Sequence, residues 1–233
     1  MQAKYSLTLG LVSLLTACGG DREKPSAAGE SRGPGAALES PAEHPTILVI
    51  GTSLTAGYGL SPDVAWPAVL QRKLDSAGLE YRVVNAGVSG ETSAGALRRT
   101  DWLLERERPA VLILETGGND GLRGIEPDSM RANIRAVMDK ANGLSPAPAL
   151  VLFAMEAPPN LGDDYTTRFR SVFGEVARET GATLVPFFLD GVAGVDSLNL
   201  PDGIHPTRRG HELAAENAWR TLEPVLRARV AQE

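Results

Sequence analysis

The chain holds a single cysteine, Cys18, in 233 residues. An internal disulfide and any cysteine-built metal cluster are therefore excluded. Aromatic residues make up only 5% of the total, and three histidines leave few candidates for a general base working near neutral pH. Positive charge is in deficit, with 23 Lys and Arg against 29 Asp and Glu, a net charge of −6. A nucleic-acid binder that works by neutralising phosphates does not have that balance. Beyond the first residues no stretch stays apolar for the ~18 residues of a membrane span, which excludes a polytopic membrane protein. What is present is a full apolar complement, 42% of residues, with 22% charged. That suits one α/β domain with an appendage, large enough to fold without disulfides or metal.

The appendage is at the N-terminus. Lys4 precedes an apolar or small run from Leu7 to Leu15, closed by Leu15-Thr-Ala-Cys18. The run has the length of a signal-peptide core and is too short to cross a bilayer. Its last four residues resemble a bacterial lipobox, which implies lipidation of Cys18 and a signal segment over residues 1–18. The alternative is an ordinary secretory signal cleaved after Ala17. A lipidated terminus implies a partner membrane that holds the domain in water at its surface. Gly19, where Asp would be the inner-membrane retention signal, points to the outer membrane of a bacterial envelope, periplasmic side. Residues 19–45 are Gly, Ser, Pro, Ala and charges without apolar periodicity, and read as a flexible tether with His44 as a solvated linker residue. A single domain is expected over 46–233.

From Thr46 the pattern alternates between strand and helix. Apolar runs at Thr46–Ile50, Tyr81–Asn85, Val111–Leu114, Leu150–Phe153 and Thr183–Val185 predict five strands. Helical spacing is found in Ala65–Ala77, Ser93–Arg106, the segment holding Met130, Ile134, Val137 and Met138, Tyr165–Thr180, and Thr207–Arg229. This is the signature of βαβ units and a parallel sheet, with ligands bound beyond the carboxyl ends of its strands.

Residues able to do chemistry are concentrated at those ends. Ser53 follows the first strand in a turn opened by Gly51. Asp202-Gly-Ile-His205 puts a carboxylate three residues from an imidazole, so Asp202 can orient the ring and stabilise its cation when His205 takes a proton. His211 lies inside the last helix and reads as a surface or partly packed histidine. Acyl transfer also needs donors where an oxyanion forms. Gly90 offers an unobstructed N–H, and Asn119, after Gly117-Gly118, offers a side-chain amide.

These residues carry a resemblance. Gly51-Thr-Ser-Leu54, Gly90 in Val88-Ser-Gly-Glu-Thr-Ser93, Gly117-Gly-Asn-Asp120 and Asp202-Gly-Ile-His205 are similar, in order, to the four sequence blocks of the SGNH (GDSL) hydrolases. Leu54-Thr-Ala-Gly-Tyr58, Ala65-Trp-Pro67 and Asn119-Asp-Gly-Leu-Arg-Gly124 look closest to the bacterial acyl-CoA thioesterase, lysophospholipase and arylesterase type. The resemblance implies a flavodoxin-like three-layer α/β/α sandwich with a five-stranded parallel sheet, and a serine esterase acting through an acyl-enzyme on a small-molecule ester or lipid. It implies Ser53 as nucleophile, His205 as base oriented by Asp202, and an oxyanion hole from the Ser53 and Gly90 N–H groups and the Asn119 amide. No metal or organic cofactor is implied. Asp120 to Gly124 and Ala157 to Gly162 follow strand ends and are expected to border the acyl pocket, with Asp120, Leu122, Pro159 and Asn160 as substrate-binding candidates. An envelope-polysaccharide O-deacetylase, or a non-catalytic surface-anchored binding lipoprotein, are the competing readings. One residue departs from the family pattern: Thr52 stands where Asp usually precedes the nucleophile.

Overall fold

The computed structural model describes residues 44–231. The expected signal segment with Cys18, and the expected tether as far as residue 43, lie outside the described residues. His44 is exposed, and the Pro45 carbonyl already accepts a hydrogen bond from the Arg82 N–H (3.0 Å).

Five strands form one parallel sheet: β1 (Thr46–Gly51), β2 (Arg82–Gly87), β3 (Val111–Glu115), β4 (Ala149–Phe153) and β5 (Thr183–Val185), in the order β2-β1-β3-β4-β5. This is the flavodoxin-like strand order. β1 and β3 are buried along their whole length because helices cover both faces, so their sequences, TILVIG and VLILE, run apolar instead of alternating. Full burial of each Ile, Leu or Val there contributes roughly 1.5–3 kcal/mol. β2 is an edge strand and is only half-buried.

Among the described residues, seven α-helices complete the layers: α1 (Ser53–Ala56), α2 (Trp66–Ala77), α3 (Ser93–Glu107), α4 (Gly118–Leu122), α5 (Pro127–Asn142), α6 (Asp163–Thr180) and α7 (Arg208–Val230). α2 packs with α7 on one side of the sheet, and α3, α5 and α6 pack in sequence on the other. Trp66 anchors the first layer, its ring 5.2 Å from that of Phe153 and 5.3 Å from that of Phe188. Phe169 and Phe173 of α6, 5.6 Å apart, anchor the second. The five strands and five long helices expected from periodicity are all present, with ends shifted by one or two residues at most where the sequence set them.

Two features of the strand ends were not expected. α1 and α4 are single short helical turns immediately after β1 and β3, too brief to show a periodicity. β2 also runs on through Ala86 and Gly87, which the sequence placed in a loop, because Gly51 and Gly87 stay in register across the parallel pair. Glycine is required at position 87: a Cβ there would lie 2.3 Å from the Ala56 nitrogen. α1 therefore rests directly on the β2 backbone. The chain leaves β1 toward β2 and returns to β3 on the other side, so the crevice of the sheet opens above β1 and β3.

Candidate active site

Ser53 is the first residue of α1, presented at the carboxyl end of β1. Thr52 caps the turn, its hydroxyl accepting from the Leu54 N–H (3.4 Å), and Gly57 closes it in the left-handed region at φ 76°. The Ser53 Oγ lies 2.9 Å from His205 Nε2.

His205 is delivered by the loop between β5 and α7. The loop is closed by an antiparallel bridge between Asn199 and Pro206 and by a 2.7 Å bond from the Leu200 N–H to the His205 carbonyl. Within it Asp202 Oδ1 accepts the N–H groups of Ile204 (2.9 Å) and His205 (3.0 Å), while Oδ2 lies 2.7 Å from His205 Nδ1. Those N–H bonds, with the imidazole contact, hold the Asp202 carboxyl down at about 2. An ionised Asp202 can only accept, so the imidazole proton is on Nδ1 and Nε2 is free to accept the Ser53 hydroxyl hydrogen. Tyr58 packs against the ring, 4.4 Å between centroids.

Three loops are bound together around Ser53. The Asn119 Nδ2 donates to the Glu91 carbonyl (3.0 Å), which leaves its second hydrogen for another acceptor. The Glu91 carboxylate grips the Arg99 guanidinium at 2.6–2.9 Å, and Arg99 Nη2 reaches the Gly51 carbonyl (3.3 Å). The ends of β1, β2 and β3 are thus fixed relative to one another. Gly90 sits between them at φ 78°, a conformation that favours glycine. Its carbonyl accepts from Arg123 Nη2 at 2.9 Å.

Ser53, Gly90, Asn119 and His205 all line one cleft of about 720 Å³. Its other walls are largely apolar, with Leu54, Leu122, Met155, Ala157, Pro159, Phe187, Leu189 and Ile204. Leu122 and Pro159 border the cleft where the sequence placed them. Asp120 does not: it is fully buried, and its carboxylate accepts the Ser93 N–H (2.8 Å) and hydroxyl (2.6 Å), so it braces α3 against α4. Asn160 is exposed on the turn beyond Pro159 and is not among the lining residues. His211 is buried too, against expectation, with its Nδ1 accepting the Trp66 N–H (3.3 Å); burial pushes its imidazole down to about 4.

Sequence reasoning did not single out Arg99, Tyr58 or Glu115 for the site. Glu115 ends a buried apolar strand, and a carboxylate in such a run is the signal that could have found it. Among the described residues no group of three or more His, Cys, Asp or Glu converges to hold a metal ion, and no helix is long and apolar enough to cross a membrane.

A hydroxyl, an imidazole and a carboxylate in one hydrogen-bonded line, beside a glycine N–H and an amide on a doubly covered parallel sheet, define a serine hydrolase of the SGNH kind. The chain belongs to the GDSL-like lipase/acylhydrolase family, whose model matches residues 49–213. It is 44% identical to the esterase TesA of Pseudomonas aeruginosa over 181 residues, 78% of this chain and 89% of that protein. Over the same share of this chain, and 85% of the relative, it is 35% identical to the thioesterase 1/protease 1/lysophospholipase L1 of Escherichia coli. The crystal structure of the psychrotrophic esterase EstA from a Pseudoalteromonas species, inhibited by monoethylphosphonate, superposes with a TM-score of 0.74 at 36% identity, covering 78% of this chain and 98% of EstA.

Proposed function

We propose that the protein hydrolyses carboxylic esters or thioesters of apolar acyl chains through a covalent acyl-Ser53 intermediate. The observation that carries this reading is the unbroken Ser53–His205–Asp202 line at the wall of an apolar cleft. Ser53 Oγ attacks the ester carbonyl as His205 Nε2 takes its proton, and Asp202 stabilises the imidazolium. The Ser53 and Gly90 N–H groups and the free hydrogen of the Asn119 amide receive the oxyanion. His205 returns the proton to the leaving oxygen or sulfur. Water, activated by the same imidazole, then attacks the acyl carbonyl, releases the acid and restores the serine.

Lysophospholipids and other single-chain amphiphiles fit the cleft best. Five of the seven large apolar side chains exposed on the described surface gather at it, Trp102 and Val230 lying elsewhere: Tyr58, Leu122 and Ile204 line it, and Val88 and Val195 adjoin the lining residues Ser89 and Gly194. The names of the relatives, esterase and thioesterase/lysophospholipase, support the same chemistry. EstA is inhibited by monoethylphosphonate, whose tetrahedral phosphorus resembles the intermediate formed when a nucleophile adds to an ester carbonyl, and this supports the same reading. The pattern of residues 1–18 supports an envelope location with a lipid anchor at Cys18. Membrane-bound protein that persists in Cys18→Ala would refute that anchor.

The test is hydrolysis of p-nitrophenyl esters from acetate to decanoate by wild type and Ser53→Ala. Hydrolysis by wild type that vanishes in the variant, with an optimum beyond acetate that moves on substitution of Leu122 or Pro159, is the expected result. Activity confined to acetate would favour an O-deacetylase, and a folded wild type inert at every length a binding protein.

A further inference from the structure

Directly under the nucleophile lies a carboxylate that takes no part in the proton relay. Glu115, the last residue of β3, has no exposed surface. Its hydrogen bonds come from the serine turn. Oε2 accepts the Thr52 N–H (2.9 Å), the Thr52 hydroxyl (3.0 Å) and the Thr55 hydroxyl (2.8 Å), while Oε1 lies 2.9 Å from the same Thr52 hydroxyl. Both hydroxyls are themselves oriented, Thr52 Oγ1 by the Leu54 N–H and Thr55 Oγ1 by the Trp66 indole N–H (3.2 Å). The fit is close: a Cβ on Gly51 would come within 2.9 Å of Glu115 Oε2 and 2.0 Å of Thr55 Oγ1.

A buried ionised carboxylate is costly, and burial pushes this one up to about 7 against the pull of the Thr52 and Thr55 bonds. Its carboxylate bonds to the residue before Ser53 and to the residue two beyond it. We propose that Glu115 is a positioning residue for the nucleophile: by gripping Thr52 and Thr55 together it fixes the turn that aims the Ser53 hydroxyl at His205 and the Ser53 N–H into the cleft. The inference rests on Ser53 being the nucleophile.

Thr52 suits this arrangement. Its hydroxyl donates to Glu115 and accepts from Leu54 at the same time. Aspartate, the usual residue at this position in the family, would set a second carboxylate against the first, and one of the two would have to carry a proton.

The experiment compares kcat and KM for p-nitrophenyl butyrate in wild type, Glu115→Ala, Glu115→Gln and Thr52→Val, with folding followed by circular dichroism. Displacing a nucleophile by about an ångström costs on the order of 100-fold. Glu115→Ala is expected to lose that factor in kcat with KM within about threefold of wild type. Glutamine keeps an acceptor oxygen for the Thr52 N–H and Thr55 hydroxyl and can donate to Thr52 Oγ1, so Glu115→Gln is expected to recover to within about fivefold of wild type. A folded Glu115→Ala with wild-type kcat, or a loss expressed entirely in KM, overturns the proposal. Should Glu115→Ala fail to fold, Thr52→Val decides: a loss of about tenfold in kcat at constant KM supports the clamp, and an unchanged kcat overturns it. Ser53→Ala is measured alongside. Turnover by that variant overturns the nucleophile assignment and the clamp with it, whereas an inactive Ser53→Ala beside an unaffected Glu115→Ala overturns the clamp alone.

Discussion

The ring of Tyr58 lies 4.4 Å from the imidazole of His205, tilted by 35°, and half of the tyrosine surface is open to the cleft. His205 is thus held by Asp202 at one ring nitrogen and by Tyr58 across a face. An aromatic pair of this kind contributes about 0.5–1.5 kcal/mol, or roughly 2–10-fold in a rate that depends on the ring's orientation. Tyr58→Ala is expected to lower kcat by up to about tenfold, and Tyr58→Phe, which keeps the face, to stay within about twofold. Equal losses in both variants would show that the phenol hydroxyl, not the stacking, carries the effect.

Asp202 is expected to set the tautomer of His205. Asp202→Asn keeps the turn's shape but can donate to Nδ1, which would move the imidazole proton to Nε2 and leave Ser53 without an acceptor. A loss on the order of 10³–10⁴-fold in kcat is the expected outcome, with an unchanged melting transition. Because the carboxyl is held at about 2, the acid limb of the wild-type rate is expected to show no titration of this group at pH 4 or above. A separate inflection above pH 4 that disappears in Asp202→Asn would contradict that.

Two buried groups give opposite contributions to stability as pH changes. Glu115 is raised from 4.5 to about 7, so the folded state holds its proton more tightly and stability declines as pH rises through that interval. His211 is lowered from 6.5 to about 4, so the unfolded state binds the proton more tightly and stability is lost as pH falls through that interval. Each shift corresponds to about 3 kcal/mol. In wild type the slopes largely cancel between pH 4.5 and 6.5. Glu115→Gln is expected to expose the His211 slope, with stability climbing from pH 4 to 6.5 and exceeding wild type at pH 8. His211→Gln is expected to show the reverse trend. Denaturant midpoints across a pH series test this, and parallel curves for wild type and both variants would refute it.

Most of the fold was legible because the strands are apolar runs and the long helices carry clear 3.6-residue spacing. The flavodoxin-like layering around a five-stranded parallel sheet came with the family resemblance. The line from Ser53 to Asp202 was legible because each member sits in a short local motif. What escaped was long-range. Glu115 meets Thr52 across 63 residues of chain, and Asp120 meets Ser93 across 27, pairings that no local pattern announces. Asp120 looked like a cleft residue because its segment follows a strand end, yet on the α4 turn it is buried against Ser93 while Asn119 lines the cleft. His211 looked peripheral because a histidine in a polar helix usually is. Its partner, the first N–H of α2, is 145 residues away.

The β1 strand begins at Thr46 on the side of the sheet opposite the cleft, and α7, which starts just after His205, runs 23 residues back toward the same side. Pro45 and Arg229 line a common hollow there. Both ends of the domain therefore emerge behind the chemistry, like a lamp wired from its base. A support, a fusion partner or a fluorescent label joined at either end would leave the mouth of the cleft facing outward, and the enzyme could be mounted on a bead or a sensor surface without shading its own entrance.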